Sequence, residues 1–551
     1  MFNKFIPFAW ILTCGLPSAL ASDRIPADVR DHISQRVKEG DCVGVVVCVV
    51  DEHGSCCASE GRRSLSKDDK VDEKSVFEIG SITKAFTGVL LADMALRGEV
   101  ALDDPVQKYL PDGAKMPKRG DKQITLRDLS THRSGLPRLP DNIESADPDN
   151  PYADYDEKRM LDFLSKHELS RDIGEKYEYS NFGAGLLGYV LARKSGKTYE
   201  QLVTERILAP LNMKDTGIAL SDGMKARLAM GHSEGKQVKN WDIDALAGAG
   251  ALRSTPLDMT SFVEFNLNSK PTDTPLSKAF QASYKDPVNT STPGLSVGLG
   301  WHIWNKHGTK IIWHNGGTGG YRSFCGFAPD KKLGVVVLNN SDADLDAVGL
   351  HVLEPKWELP QIRKTVKVSG ATLEPYLGHF EITPELIIHI TREGDQLFGQ
   401  VTGQPKFPVF PESETKFFFK VVDAQITFVK SEKGSVDHLI LHQNGNHKCE
   451  RATDYKPVER KEITVDPKIL ETYVGMYELV PGVLFDVQLE GGQLQVLLAG
   501  QPRFPVFAES ETKFFYKVVE AQLTFVKDDS GKVTSLILHQ GGINQTATRK
   551  D

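Results

Sequence analysis

FEIGSITKAFTGVLLADMAL, residues 77–96, sets a serine and a lysine three positions apart at the mouth of a long apolar run. Residues i and i+3 share one face of a helix, so the Lys84 amine can reach the Ser81 hydroxyl. A serine in the first helical turn also leaves its own backbone N–H without an intrahelical partner, free to face a developing oxyanion. Burial among the flanking apolar residues disfavours a charged lysine and moves it toward a usable base. An ordinary helix start with a solvated lysine fits this segment equally well.

The spacing alone decides nothing. Ser-x-x-Lys occurs five times, starting at Ser64, Ser81, Ser233, Ser413 and Ser510. Ser64 and Ser233 lie in polar stretches with no apolar helix after them. Ser413 and Ser510 occupy the same position of an internal repeat, next to aromatic strand residues. Ser81 is the one followed by a sustained apolar helix.

The chain around this segment has 551 residues, too many for one core. It is 40% hydrophobic and 25% charged, the balance of a soluble globular protein. A net charge of -8 and the lack of a basic stripe argue against a nucleic-acid partner. Residues 1–21 read as a signal peptide. Lys4 supplies positive charge, Phe5 to Leu16 is mostly apolar, and Ala19-Leu20-Ala21 fits a small-residue cleavage site. No later run is apolar and long enough to span a bilayer, so the mature chain is expected to be exported, periplasmic or secreted.

Export permits disulfides. Beyond Cys14 there are Cys42, Cys48, Cys56, Cys57, Cys325 and Cys449. Four of them crowd one hairpin, in which VGVVVCVV turns at DEHG into SCCASEG, and buried free thiols are the expectation. No Cys/His cluster has zinc-ligand spacing.

Residues 26–40 read as a helix before that hairpin, and residues 121–350 mix helical stretches such as FGAGLLGYVLARKSG with strands such as LGVVVLNN. Strands, then helices, then strands describe an α/β unit: an antiparallel sheet with helices plus an all-helical subdomain. The acidic stretch DNIESADPDNPYADYDE, residues 141–157, reads as a solvated excursion. The last third changes character. GQPKFPVFPESETKFFFKVVDAQITFVK from Gly403 returns 97 residues later as GQPRFPVFAESETKFFYKVVEAQLTFVK, and Tyr376 and Tyr473 keep the same offset. Short β-type runs separated by Gly, Asp and Ser turns make each copy an all-β, barrel-like domain. The organisation read is a signal peptide at 1–21, a catalytic unit at 22–360, and barrels at 370–455 and 467–551. KTVKVSGATLEP and DYKPVERKEITVDP are the linkers.

Two further segments bear on Ser81. In EKYEYSNFGAGLLGY, Tyr179 can relay a proton once nearby cations lower its pKa, and the Asn181 amide can hold a substrate carbonyl. In IIWHNGGTGGYRSFCGFAPDKKLGVVVLNN, glycines beside His314 let a substrate approach an edge strand. The Gly317 N–H is then a second oxyanion donor. Taken singly, a core tyrosine and a glycine-rich hairpin explain these segments as well.

Together, Ser81-x-x-Lys84, Tyr179-x-Asn181 and His314-x-Gly316 resemble the three motifs of class C β-lactamases and their penicillin-binding relatives. ITLRDLSTHRSGLP, GEKYEYSN and AGAGALRSTPLDM resemble the family's framing segments. The resemblance covers residues 25–355 and implies a β-lactamase/transpeptidase-like fold and a serine hydrolase acting through an acyl-enzyme, without metal or organic cofactor. It implies catalytic roles for Ser81, Lys84, Tyr179 and Gly317, and substrate binding by Asn181, His314 and Gly316. Its substrates would be small molecules or peptides: β-lactams, D-amino-acid peptides such as D-Ala-D-Ala, or esters. Class C enzymes carry lysine where this chain has His314. Histidine there resembles certain D-Ala-D-Ala carboxypeptidases, D-aminopeptidases and esterases, and two trailing barrels resemble the D-aminopeptidase architecture. A catalytically silent cell-wall-binding protein is the reading from another class.

Overall fold

The computed structural model describes residues 24–550, apart from 144, 269, 271, 384–385, 403, 405, 421, 423, 433, 444, 454–459, 481–482, 499–502, 518, 520 and 541–542. The leader read at 1–21 and the start of the second linker lie outside the described residues. The chain divides into compact units at Ile362 and Arg363.

The first unit is built on a nine-stranded sheet whose neighbouring strands all run antiparallel. The strand Gly44–Asp51 lies inside it, flanked by Gly54–Ser64 and Leu333–Asn339. Its sequence GVVVCVVD is apolar at nearly every position because both faces are covered. Val46, Cys48 and Val50 face the helix-rich core with Thr83–Leu96 and Pro256–Asn268. Val45, Val47 and Val49 face the helices Ala27–Lys38 and Asp346–Leu353 on the other side. The Thr309–Gly317 strand carries the third motif and pairs with Arg322–Ala328, so His314 stands opposite Cys325.

Two sequence expectations need correction. The hairpin turns between Asp51 and Gly54, which sets Cys48 directly opposite Cys57, and these two form a disulfide. Cys56, Cys325 and Cys449 are free, buried thiols, and the Cys42 side chain is buried as well. The acidic stretch 141–157 is not a solvated excursion. Asn150, Tyr152 and Tyr155 are buried, and Asn150 exchanges two 2.9 Å hydrogen bonds with Asp242. Charge at Asp141, Glu144, Asp147 and Asp149 masks the aromatic residues that anchor the segment.

The second unit holds two closed eight-stranded antiparallel barrels, from Gly378–Thr383 to Asn446–Arg451 and from Gly475–Val480 to Ile543–Arg549. Period-two burial in QITFVK points Ile426 and Phe428 into the first barrel. A tyrosine just ahead of each barrel enters its core. Tyr376 stacks on Phe428 and Tyr473 on Phe525, both at 4.3 Å between ring centroids. Their hydroxyls donate to the carbonyls of Glu414 and Glu511, each at 2.9 Å.

The units have separate cores on either side of residue 362. A chain ending at Ile362 is therefore expected to unfold in one cooperative thermal transition with its disulfide intact. Aggregation of that chain would show that the later residues complete its core.

Candidate active site

Ser81 is the middle residue of a short 3-10 turn, Gly80–Ile82, that runs directly into the Thr83–Leu96 helix. The other four Ser-x-x-Lys copies all span β-hairpin turns, with serine ending one strand or turn segment and lysine starting the next. Helix context thus separates Ser81 from them physically.

Lys84 is 2% exposed, yet its amine has three polar neighbours. Nζ lies 2.9 Å from Ser81 Oγ, 2.9 Å from Asn181 Oδ1 and 2.6 Å from the Ala249 carbonyl. Burial drives the Lys84 pKa well below that of a free lysine, and the charge of Arg138 adds to the effect. A neutral amine has two N–H groups and one lone pair. The Ala249 carbonyl and the Asn181 amide oxygen can only accept, so they take both N–H groups. The lone pair is left for the Ser81 O–H, the geometry of a general base.

The second motif is held by the segment STHRSGLPR. Ser180 caps the Asn181–Ser195 helix through Gly183 N–H at 2.8 Å and donates its hydroxyl to the Pro137 carbonyl at 2.6 Å. Its own N–H donates to His132 Nδ1 at 3.1 Å, and the N–H groups of Asn181 and Phe182 donate to the Arg138 carbonyl. Tyr179 is thereby fixed with its ring 5.0 Å from the Lys84 amine and 5.2 Å from the Arg138 guanidinium carbon. The expectation that cations lower its pKa is not met. Burial raises it, outweighing a hydrogen bond with Ser81 and the charge of Arg138. Burial thus works against charge on both groups, the Lys84 ammonium and the Tyr179 phenolate.

The third motif meets Ser81 through backbone. Gly80 has a φ of +49°, and a Cβ there would stand 2.8 Å from Gly317 N. A Cβ on Gly316 would stand 2.0 Å from the Ile79 carbonyl oxygen. Only glycine allows this strand to lie against the helix start. Gly317 is exposed and Gly316 is buried.

His314 departs further from expectation. It is 1% exposed, and its ring stacks on His302 at 4.7 Å. Its Nδ1 is 2.6 Å from the Asn315 carbonyl, which can only accept, so the proton is on Nδ1. Burial holds its pKa well below that of a free histidine. Neutral and enclosed, it backs the Tyr179 ring, 6.2 Å away between centroids, and offers a substrate no charge.

Several residues escaped sequence reasoning. His132 and His302 pack around Tyr179 at 4.5 and 6.2 Å. Tyr152 hydrogen-bonds Asn181 and packs against Trp241. Glu78 gathers Asn240 Nδ2, the Trp241 N–H and Arg253 around one carboxylate oxygen. The Ala249 carbonyl, which accepts from Lys84, was not signalled by any side-chain pattern.

A family model described as Beta-lactamase matches residues 29–352. The chain belongs to the Beta-lactamase family. That match holds Ser81, Lys84, Tyr179, Asn181, His314 and Gly317. A second model, Domain of unknown function (DUF3471), matches twice, at 363–458 and 459–550. Among relatives, the chain is 29% identical to the D-alanyl-D-alanine-carboxypeptidase/endopeptidase AmpH of Escherichia coli strain K12, over 61% of this chain and 90% of that protein. It is 28% identical to a beta-lactamase of the same strain, over 61% and 93%. It is 25% identical to Penicillin-binding protein 4* of Bacillus subtilis strain 168, over 70% and 90%. This chain is a β-lactamase-related serine hydrolase followed by two barrels. Among the described residues, no His/Cys/Asp/Glu group could hold a metal ion and no helix is long and apolar enough to cross a membrane.

Lys84→Ala is expected to slow acylation of Ser81 at least about a hundredfold, the lower range for one acid–base group, as read by single-turnover labelling. The pH dependence of stability follows from the histidines. The unfolded chain protonates them below about pH 6.5, whereas burial lowers folded His302 to about 4. Unfolding therefore takes up protons in that window, and stability present above pH 6.5 is lost as the pH falls toward 4. Melts at pH 7 and pH 5 should show a Tm that drops with acid, and drops less in His302→Gln.

Proposed function

We propose that Ser81 is the nucleophile of an acyl-enzyme mechanism on an amide or ester carbonyl. One observation carries this reading: a buried Lys84 amine whose two N–H groups are spoken for and whose lone pair is left to the Ser81 hydroxyl. Ser81 Oγ attacks the carbonyl carbon while its proton passes to Lys84. The C=O electron pair moves onto oxygen, where the backbone N–H groups of Ser81 and Gly317 receive it. As the adduct collapses, Tyr179 gives its proton to the leaving nitrogen or oxygen and regains one from Lys84. Water then attacks the acyl-enzyme along the reverse path and frees Ser81. Asn181, its oxygen held by Lys84, presents its Nδ2 to the substrate carbonyl. His314 positions Tyr179.

The names of the relatives support β-lactams and D-Ala-D-Ala peptides as the substrate class. The leader at 1–21 and the Cys48–Cys57 disulfide support export to the periplasm or beyond. A second reading, an esterase, is favoured by one observation: the third motif supplies no positive charge, since His314 is neutral and enclosed.

Gel labelling with a fluorescent penicillin, read beside nitrocefin turnover, tests both. Stable label is expected of a penicillin-binding peptidase and turnover of a β-lactamase, while ester hydrolysis alone would select the esterase. Ser81→Ala should abolish label and turnover, and Ser64→Ala should keep both. The opposite pattern would displace Ser81 from the mechanism.

A further inference from the structure

We propose that Arg138 binds a free carboxylate on the leaving-group side of the scissile bond, the contact that the third motif of this chain does not provide. The inference rests on the hydrolase reading and names the substrate class within it.

Other basic groups near the site are buried or already engaged. Lys84, His132, His302 and His314 are buried, and burial holds all of them toward their neutral forms. Arg322, opposite Gly317 on the neighbouring strand, spends one guanidinium nitrogen on the carbonyls of Thr318 and Tyr321. Arg138 is different. Its side chain is exposed, and among the described residues its guanidinium has no hydrogen bond or ion pair. It lies over the Tyr179 ring at 5.2 Å, a cation–π contact that fixes its direction without using its donors.

Its backbone is fixed as well. The Arg138 carbonyl accepts the N–H groups of Asn181 at 3.0 Å and Phe182 at 3.2 Å. The residue therefore moves with the second motif, and its charge is felt at Lys84, His132, Tyr152, Tyr177 and Tyr179. An arginine with all five donors unspent, anchored beside the nucleophile and its proton relay, matches the planar fork of a carboxylate. A penicillin carries such a group on its leaving side, and so does a peptide ending in a D-amino acid. A neutral ester does not.

The test compares two substrates differing only in that group: the depsipeptide phenylacetyl-glycyl-D-lactate and its methyl ester. The readout is the ratio of kcat/KM for acid over ester, using the full chain. Arg138→Gln should lower this ratio about ten- to a hundredfold, the range for a hydrogen bond to a charged group, with the change in KM. Arg138→Lys should recover part of it. An unchanged ratio in Arg138→Gln, or a fall that appears in Arg322→Gln instead, overturns the proposal. Calorimetric binding of the same two compounds to Ser81→Ala, with and without Arg138→Gln, separates this inference from the hydrolase reading. Arg138-dependent affinity for the acid without turnover by the unaltered chain supports the Arg138 site and removes the hydrolase reading. Turnover of both compounds with no dependence on Arg138 does the reverse.

Discussion

The site depends on a lysine that is denied water. A free ammonium is stable because water solvates it, and Lys84 is sealed on the inner face of the Thr83–Leu96 helix. Burial disfavours the charged form, and two fixed acceptors dictate which way the lone pair of the neutral amine points. Those acceptors come from segments far apart in sequence, Asn181 and Ala249. The fold of the first unit can be read as the scaffold that carries these two oxygens and the Ser81 hydroxyl to one nitrogen.

The same constraint explains the three histidines. Burial disfavours charge on each of them, as it does on Lys84. A stacked pair, His302 on His314, fills the space with rings that stay neutral. Tyr179 thus has the imidazoles of His132, His302 and His314 and the Arg138 guanidinium around its ring. Its acidity is set by enclosure against one cation, not by a cluster of cations.

The parts legible in the sequence were those with local signatures. Ser81 and Lys84 share a helix face, and an apolar run after them marks that helix. The 97-residue repeat and its alternating aromatics disclosed two barrels. What stayed hidden was tertiary. The Ala249 and Arg138 carbonyls act through atoms that every residue possesses, so no side-chain pattern announces them. The roles of His314 and Gly316 could not be told from spacing, because burial decides them. Tyr152 sat in a stretch whose acidic composition outweighed its aromatic residues. The disulfide was within reach: Cys48 and Cys57 are equidistant from the turn at Asp51 and Gly54, and register alone pairs them.

The closed barrels carry a further consequence for how the chain is made. Each closes only when its first strand meets its last, Gly378–Thr383 with Asn446–Arg451 and Gly475–Val480 with Ile543–Arg549. Because the two copies share so much sequence, a strand from one is a plausible partner for the matching strand of the other. Tandem repeats of this kind are prone to such crossed assembly. Synthesis from the N-terminus separates the competitors in time. At roughly 5 to 20 residues per second, the second closing strand leaves the ribosome about 5 to 20 seconds after the first. Small β domains fold in milliseconds to seconds, so the first barrel can shut before its rival strand exists. Refolding the full-length chain from denaturant removes that delay, and birth order is then no longer available to keep the copies apart.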